Sequence, residues 1–414
     1  MPEAALRICI VTEIFHPEDK GGMGRQAHAM AERLIGKGLK VDAVTRKIMV
    51  ESPDRELVGL VPVTRLPPPG VLKGQGWKAL LPVLYFSLRL FYWLLCRARA
   101  YDVLLVHGTK TILFPVFLAR LVGRTKCVLK IDAGGDIGEE VGADSLAKMG
   151  LSPRSPIIRA WSTLRNFLLR RADGVIAISQ EIRSALLARG VAPGRIHAIP
   201  NGVDMQQFFP VTPSSKARLR VQLGLPPEET VVTFAGRLSR AKGLLMLARV
   251  WCSLIQRHKA IHLVLVGSGG YSFDDCETEL KEFVRQNHIA DTVTFVGQVA
   301  NVADYLQATD LFVLPSDSEG FPLALVEAMA VGRPSIVTRV SGAVDIVADR
   351  DNGMLVPIGD ADALESAFEW LFAHRDVWDS MGQKARAAVL GYCEIGSVTE
   401  RYVNLFRSIV VRSG

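Results

Sequence analysis

The chain of 414 residues carries 49 Lys and Arg against 42 Asp and Glu, and it is 49% hydrophobic and 22% charged. That length exceeds the roughly 250–300 residues one core ordinarily fills, so two domains of about 200 residues are expected, and disorder is excluded as the dominant state. The net +7 would suit a nucleic acid, an anionic membrane or an acidic substrate, but residues 1–200 hold 29 basic and 17 acidic residues, net +12, and residues 201–414 hold 20 and 25, net −5. The first element is a strand at Ile8–Val11 with no basic-then-apolar leader ahead of it, so the chain is expected to stay in the cytosol. A glycine-rich loop, Ile14–Gly24, leads into an amphipathic stretch at Arg25–Lys37, and a second strand follows at Lys40–Thr45.

Ala79–Cys96 is eighteen residues with one charge, Arg89, and basic flanks at Lys73, Lys78, Arg97 and Arg99. A buried core helix is the leading reading, because Arg89 near the middle of a membrane span would cost about 2.5–3.5 kcal/mol. A helix lying at a membrane surface and a span are the alternatives. Strands at Val103–His107, Cys127–Ile131 and Gly174–Ile178 complete the first series. After Asn201–Pro213, which reads as a linker, a second series runs Val231–Gly236, His262–Gly267, Val293–Gly297, Leu311–Pro315 and Ser335–Thr338. Strands alternating with helical stretches such as Gln180–Arg189 and Phe321–Val331 argue an α/β architecture of two doubly wound, Rossmann-like parallel sheets facing each other. The ligand site is then expected at the carboxyl ends of the strands, in a cleft between the domains. Six cysteines lie far apart with no CxxC pair and no clustered histidines, so neither a disulfide framework nor a zinc site is expected.

The richest chemistry sits in residues 310–334, DLFVLPSDSEGFPLALVEAMAVGRP. A strand delivers a loop to a helix expected to start at Pro322, a residue suited to the first helical position. Backbone amides around Gly320, Phe321 and Leu323 would form an anion site, to which Pro322 adds no N–H. Glu319 stands ahead of that mouth, and Glu327 lies about 7.5 Å further along the axis. A phosphate there would have carboxylates on either side, which suits polyol recognition. An acid at a helix N-terminus that merely complements the dipole accounts for Glu319 but not for Glu327.

Glu319 and Glu327 with GFP between them resemble the signature of GT-B retaining glycosyltransferases, the glycosyltransferase family 4 group. Gly236-Arg237-Leu238 with Lys242-Gly243 resembles the family's GRL…KG, Ile199–Asp204 its IPNGVD, and Leu263–Gly269 its LVGxG. The likeness spans essentially the whole chain. It implies the GT-B fold, with an acceptor-binding domain at 1–200, a nucleotide-sugar domain at 201–394 and a C-terminal helix, about 395–414, packing back on the first. It further implies transfer of a sugar from a UDP- or GDP-sugar to a hydroxyl acceptor, with retention and no metal or other cofactor. Arg237 and Lys242 are expected to take the charge that develops on the leaving diphosphate. Glu327 would accept from the ribose diol, and Glu319 would contact sugar hydroxyls. Gly236, Gly320, Phe321, Pro322 and Leu323 complete the expected donor site, together with Gly22, in the loop where backbone approaches the diphosphate.

One departure stands out. Where the family commonly has a His after the strand at Cys127–Ile131, this chain reads Lys130-Ile131-Asp132-Ala133-Gly134-Gly135-Asp136. Asp132 or Asp136 takes over a polar contact there, or the segment is a glycine turn with solvated acids; His107, at its strand end, is a further candidate or a structural histidine. A GT-B epimerase, a phosphorylase and a non-catalytic sugar-nucleotide-binding subunit are the rival readings. No nucleic-acid motif accompanies the basic half. Its charge and apolar stretch suit an anionic membrane face and a lipid-linked or envelope-glycan acceptor, with the protein at the inner side of the membrane.

Overall fold

The computed structural model describes residues 5–18, 22–68, 80–97, 99–108, 112–120, 125–132, 156–270 and 274–411. The chain forms two units, Met1–Gly202 with Gly396–Gly414, and Val203–Ile395. Each is an α/β unit built on one sheet.

The first unit holds β1 (Arg7–Val11), β2 (Lys40–Arg46), β3 (Arg55–Val58), β4 (Val61–Leu66), β5 (Val103–His107), β6 (Lys126–Ile131), β7 (Gly174–Ala177) and β8 (Ile196–Ala198). Their order across the sheet is β3-β4-β2-β1-β5-β6-β7-β8, parallel except for β3 against β4. Central strands read as continuous apolar runs because helices cover both faces: Ile8, Cys9, Ile10 and Val11 are wholly buried, and Ile10 registers with Ala43 on one side and Leu105 on the other. The β3–β4 hairpin has no counterpart in the sequence expectation, since Pro62 argues against an interior strand. Pro62 lies one residue ahead of the β2–β4 register, which begins at Ala43↔Val63, so its missing N–H costs no bond to β2.

The second unit holds β9 (Thr230–Ala235), β10 (Ile261–Val266), β11 (Val293–Gly297), β12 (Leu311–Leu314), β13 (Ser335–Thr338) and β14 (Met354–Val356), all parallel, in the order β11-β10-β9-β12-β13-β14. Strand order reverses between β9 and β12. That reversal defines the site, because the loops leaving two adjacent strands there run to opposite sides and leave their carboxyl ends open.

The helix Ile395–Val411 packs on the first unit, burying Thr399, Tyr402 and Phe406 and pairing Glu400 with Lys37 at 2.5 Å. The helix Leu80–Arg97 departs from the core-helix expectation. Phe86, Leu90, Trp93 and Leu94 are buried, but Leu84, Tyr85, Leu88 and Tyr92 on the opposite side are exposed. Among the described residues no helix is long and apolar enough to cross a membrane.

Candidate functional site

Two loops at the β9/β12 switch point carry the charged residues. The first leaves β9 through Gly236 and Arg237, makes a short 3-10 turn at Arg240–Lys242, and enters the helix Leu244–Arg257 through Gly243. The second leaves β12 through Pro315 and Ser316 and reaches the helix Leu323–Ala330. They are laced together: the Asp317 amide donates to the Ala241 carbonyl at 2.8 Å. Gly243 has φ of 67°, and a Cβ there would stand 2.0 Å from the Pro315 carbonyl oxygen. No side chain fits that approach, so glycine is required for the two loops to close on each other.

This lacing brings Lys242 to Glu319. Lys242 Nζ donates to Glu319 Oε1 at 2.5 Å, and the Ser316 hydroxyl donates to the same oxygen at 2.8 Å. Both side chains of the ion pair are mostly buried, at 17% and 13% exposed. Oε2 has no hydrogen-bond partner among the described residues. Arg237 is exposed and makes no ion pair with a described residue, so its fork is available to an anion. Thr338 at the end of β13 donates to the Ser316 carbonyl at 2.5 Å and fixes the loop from behind. Ser316 and Thr338 are supports that no motif in the sequence marks; both are wholly buried hydroxyls.

Pro322 is the cap residue, φ −76° and ψ 95°, and the helix begins one residue later than expected, at Leu323. No side chain caps the first turn, and the amides of Leu325 and Val326 already turn back to the Pro322 carbonyl. The free end is therefore formed by Leu323 and the residues just before it. Phe321 is buried beneath that mouth, its ring 6.4 Å from Tyr392, and Gly320 lies half-buried ahead of it. Glu327 sits inside the helix at 8% exposure.

In the first unit the carboxyl ends of β5 and β6 bring together three groups. His107 registers with Lys130, and Asp132 follows one residue after β6. Lys130 Nζ lies 3.1 Å from Asp132 Oδ1, and His107 Nδ1 lies 3.3 Å from Asp132 Oδ2, a contact short of hydrogen-bond geometry. All three side chains are nearly inaccessible. Burial opposes the Asp132 charge, but Lys130 and His107 outweigh it and hold the carboxyl at about 2. Burial, then the Lys130 charge, depress His107 below its ordinary value. Lys130 is raised in spite of burial, because Asp132 faces it. Lys130 is not among the residues the sequence singles out; a lysine alternating into a strand end looks like a solvated face until its neighbours are placed. Asp136 lies outside the described residues. Gly22 opens the helix Gly22–Gly36 and is half-buried. Glu18, ahead of it, is buried and accepts from the Ile48 and Met49 amides at 3.1 and 3.2 Å.

The His107 and Asp132 shifts place a loss of stability on the acid side. A folded chain that resists protonating His107 is outcompeted by the unfolded chain as pH falls below about 6.5. Asp132 contributes stability above its unfolded value of 3.8 and loses it as pH falls through about 2. Urea unfolding is expected to show stability falling from pH 7 to pH 5. His107→Gln should flatten that slope, leaving the part due to His262, which burial also depresses. An unchanged slope would show that His107 is not held neutral.

Comparison with known proteins adds context to this geometry. Residues 229–374 match the family described as Glycosyl transferases group 1, and residues 21–202 match the Glycosyl transferase 4-like domain. A D-inositol 3-phosphate glycosyltransferase of Catenulispora acidiphila is 36% identical over 193 residues, 45% of this chain and 44% of that protein. The lipopolysaccharide core biosynthesis mannosyltransferase of Rhizobium meliloti is 32% identical over 209 residues, 50% of this chain and 56% of its own. The chain thus spans about half the length of the curated relatives it matches. Among solved structures, sucrose-phosphate synthase from Thermosynechococcus elongatus superimposes with a TM-score of 0.82 at 26% identity, covering 98% of this chain and 100% of the other. The Anabaena protein HepE in complex with UDP-glucose gives 0.74 at 20% identity, over 97% and 100%, a likeness of fold alone.

Proposed function

We propose that this chain, which belongs to the glycosyl transferases group 1 family, moves a sugar from a nucleotide diphosphate sugar to a hydroxyl acceptor with retention of configuration. One observation carries the reading: after β9 stand an exposed Arg237 and Lys242, and Lys242 is held by Glu319 from the loop after β12, the two strands being those at the switch point of the second sheet. Breaking the sugar–diphosphate bond puts negative charge on the terminal phosphate. Arg237 takes it as a planar fork and Lys242 as a point charge whose position Glu319 sets. With two cations so placed the reading calls for no metal. The amides at the mouth of the helix Leu323–Ala330 face the same anion, Glu327 accepts from the ribose diol, and the remaining oxygen of Glu319 addresses sugar hydroxyls and the positive charge at the anomeric carbon.

The donor is a UDP- or GDP-sugar, UDP being favoured by the UDP-glucose bound to HepE. The acceptor belongs to envelope or exopolysaccharide glycan or glycolipid assembly, in line with the lipopolysaccharide relative, and the first unit binds it. The net +12 of residues 1–200 suits a lipid-linked acceptor at the inner face of an anionic membrane.

A thermal-shift panel of UDP-, GDP- and ADP-sugars tests the donor site, since a ligand at about 100 times its Kd adds about 2.7 kcal/mol to the folded state. One nucleotide class should raise the melting temperature. Glu327→Ala should weaken that ligand about 10- to 100-fold, the loss of charged hydrogen bonds. Should no nucleotide sugar raise the melting temperature, the reading fails.

A further inference from the structure

Three helices of the first unit lie side by side: Leu80–Arg97, Leu113–Arg120 and Pro156–Arg171. None contains an Asp or Glu. A helix on a soluble surface ordinarily turns a charged face outward. Here the outward arc of Leu80–Arg97 is Leu84, Tyr85, Leu88, Tyr92 and Cys96, with Arg89 as its one charge. Leu88 and Tyr92 are 67% and 65% exposed, on successive turns of one side. On Pro156–Arg171 the outward arc interleaves Leu164 and Phe167 with Arg159, Arg170 and Arg171, and Leu118 of the middle helix is exposed between them.

Two described carboxylates that interact with this layer's arginines are already paired. Asp173 pairs with Arg120 at 2.8 Å, and Asp54 pairs with Lys47 at 2.9 Å while also feeling the charge of Arg89. Arg159, Arg170 and Arg171 have no carboxylate partner among the described residues. The Arg171 guanidinium carbon lies 4.8 Å from the centre of the Phe167 ring, a cation over the apolar side chain beside it.

We propose that this three-helix face docks on an anionic lipid bilayer, with Leu84, Leu88, Tyr92 and Phe167 entering the headgroup region and Arg159, Arg170 and Arg171 meeting lipid phosphates. Leucine and aromatic side chains interleaved with arginines, and free of acids, are the chemistry of helices that lie in the interface plane. A protein partner would need an acidic apolar patch to match, whereas an anionic leaflet supplies both properties at once. The proposal rests on the glycosyltransferase reading only for what the membrane provides, a lipid-linked acceptor.

The test is co-sedimentation of the full chain with phosphatidylcholine vesicles, with and without about one-third phosphatidylglycerol. Binding should require the anionic lipid and weaken more than about tenfold at roughly 0.5 M salt, where surface charges are screened. Arg159→Ala with Arg171→Ala, and separately Leu88→Glu with Tyr92→Glu, should each weaken it more than about tenfold, with melting temperatures near that of the parent because these side chains are exposed. Binding to neither vesicle, or equally to both, overturns the proposal. A dimer in sedimentation equilibrium that Leu88→Glu dissolves also overturns it and assigns the face to a second copy. Thermal shift by nucleotide sugars separates this from the enzymatic reading: the docking variants should retain it, and its absence beside intact vesicle binding would count against the enzymatic reading alone.

Discussion

Replacing Lys242 by methionine is expected to slow turnover of the sugar donor by about 10²–10³-fold, the loss that follows removal of one preorganised charge at a developing anion. Methionine is close to the lysine stem in length, so the mostly buried side chain keeps its packing. What is lost is the cation and, with it, one of the two donors to Glu319 Oε1; the Ser316 hydroxyl remains. A half-buried carboxylate without its partner costs about 1–3 kcal/mol, so a melting temperature a few degrees lower is expected alongside the kinetic effect. The effect should appear in kcat more than in KM, since charge builds on the phosphate chiefly in the transition state. Lys242→Arg keeps the charge in a longer, planar group and should recover part of the rate. If Lys242→Met turns over donor at the parental rate, the assignment of the β9 loop to the leaving diphosphate is wrong.

The second large effect concerns stability. Gly267→Ala is expected to destabilise the second unit by about 3–5 kcal/mol, combining an unfavourable positive φ with a backbone collision. Gly267 has φ of 133°, and a Cβ there would fall 1.8 Å from the carbonyl oxygen of Gly236. Neither atom belongs to a flexible side chain, so β9 and β10 would have to part at their carboxyl ends. Because Gly236 immediately precedes Arg237, the same substitution should weaken nucleotide-sugar binding, and a thermal melt should show a fall of roughly 10 °C. Gly391→Ala provides the contrast: it lies within the helix Trp378–Cys393, a Cβ there would meet nothing within 4 Å, and it should stabilise by about 0.5–1 kcal/mol. A Gly267→Ala protein that melts with the parent would mean that the β9 and β10 ends are farther apart in solution.

Much of the loop after β12 is legible in the sequence. A strand at Leu311–Leu314, a short turn and a helix carrying Glu327 follow from apolar runs and one proline, and the positions fall within a residue of the observed ones. Gly267 carries little signal by itself, since a glycine after a strand is common and its neighbour across the sheet is not written beside it. The helix Leu80–Arg97 reads as core because nearly every side chain is apolar, and composition does not say which side meets the sheet. The β3–β4 hairpin is hidden by Pro62, whose harmlessness depends on where the β2 pairing begins.

Residue order by itself determined the alternation of strands and helices, the two-unit division of charge, and the placing of Arg237, Lys242, Glu319 and Glu327 near strand ends or a helix mouth. These are local properties, carried by periodicities of two and 3.6 residues and by proline and glycine constraints on single dihedrals. The tertiary structure alone decided that Lys242 and Glu319, 77 residues apart, form a hydrogen-bonded ion pair, and that Lys130, Asp132 and His107 form one buried cluster. Such pairings depend on which strands become neighbours. β9 lies beside β12 and β5 beside β6 because each crossover helix must bury its apolar face on the sheet, and that requirement is met only once the whole chain has folded.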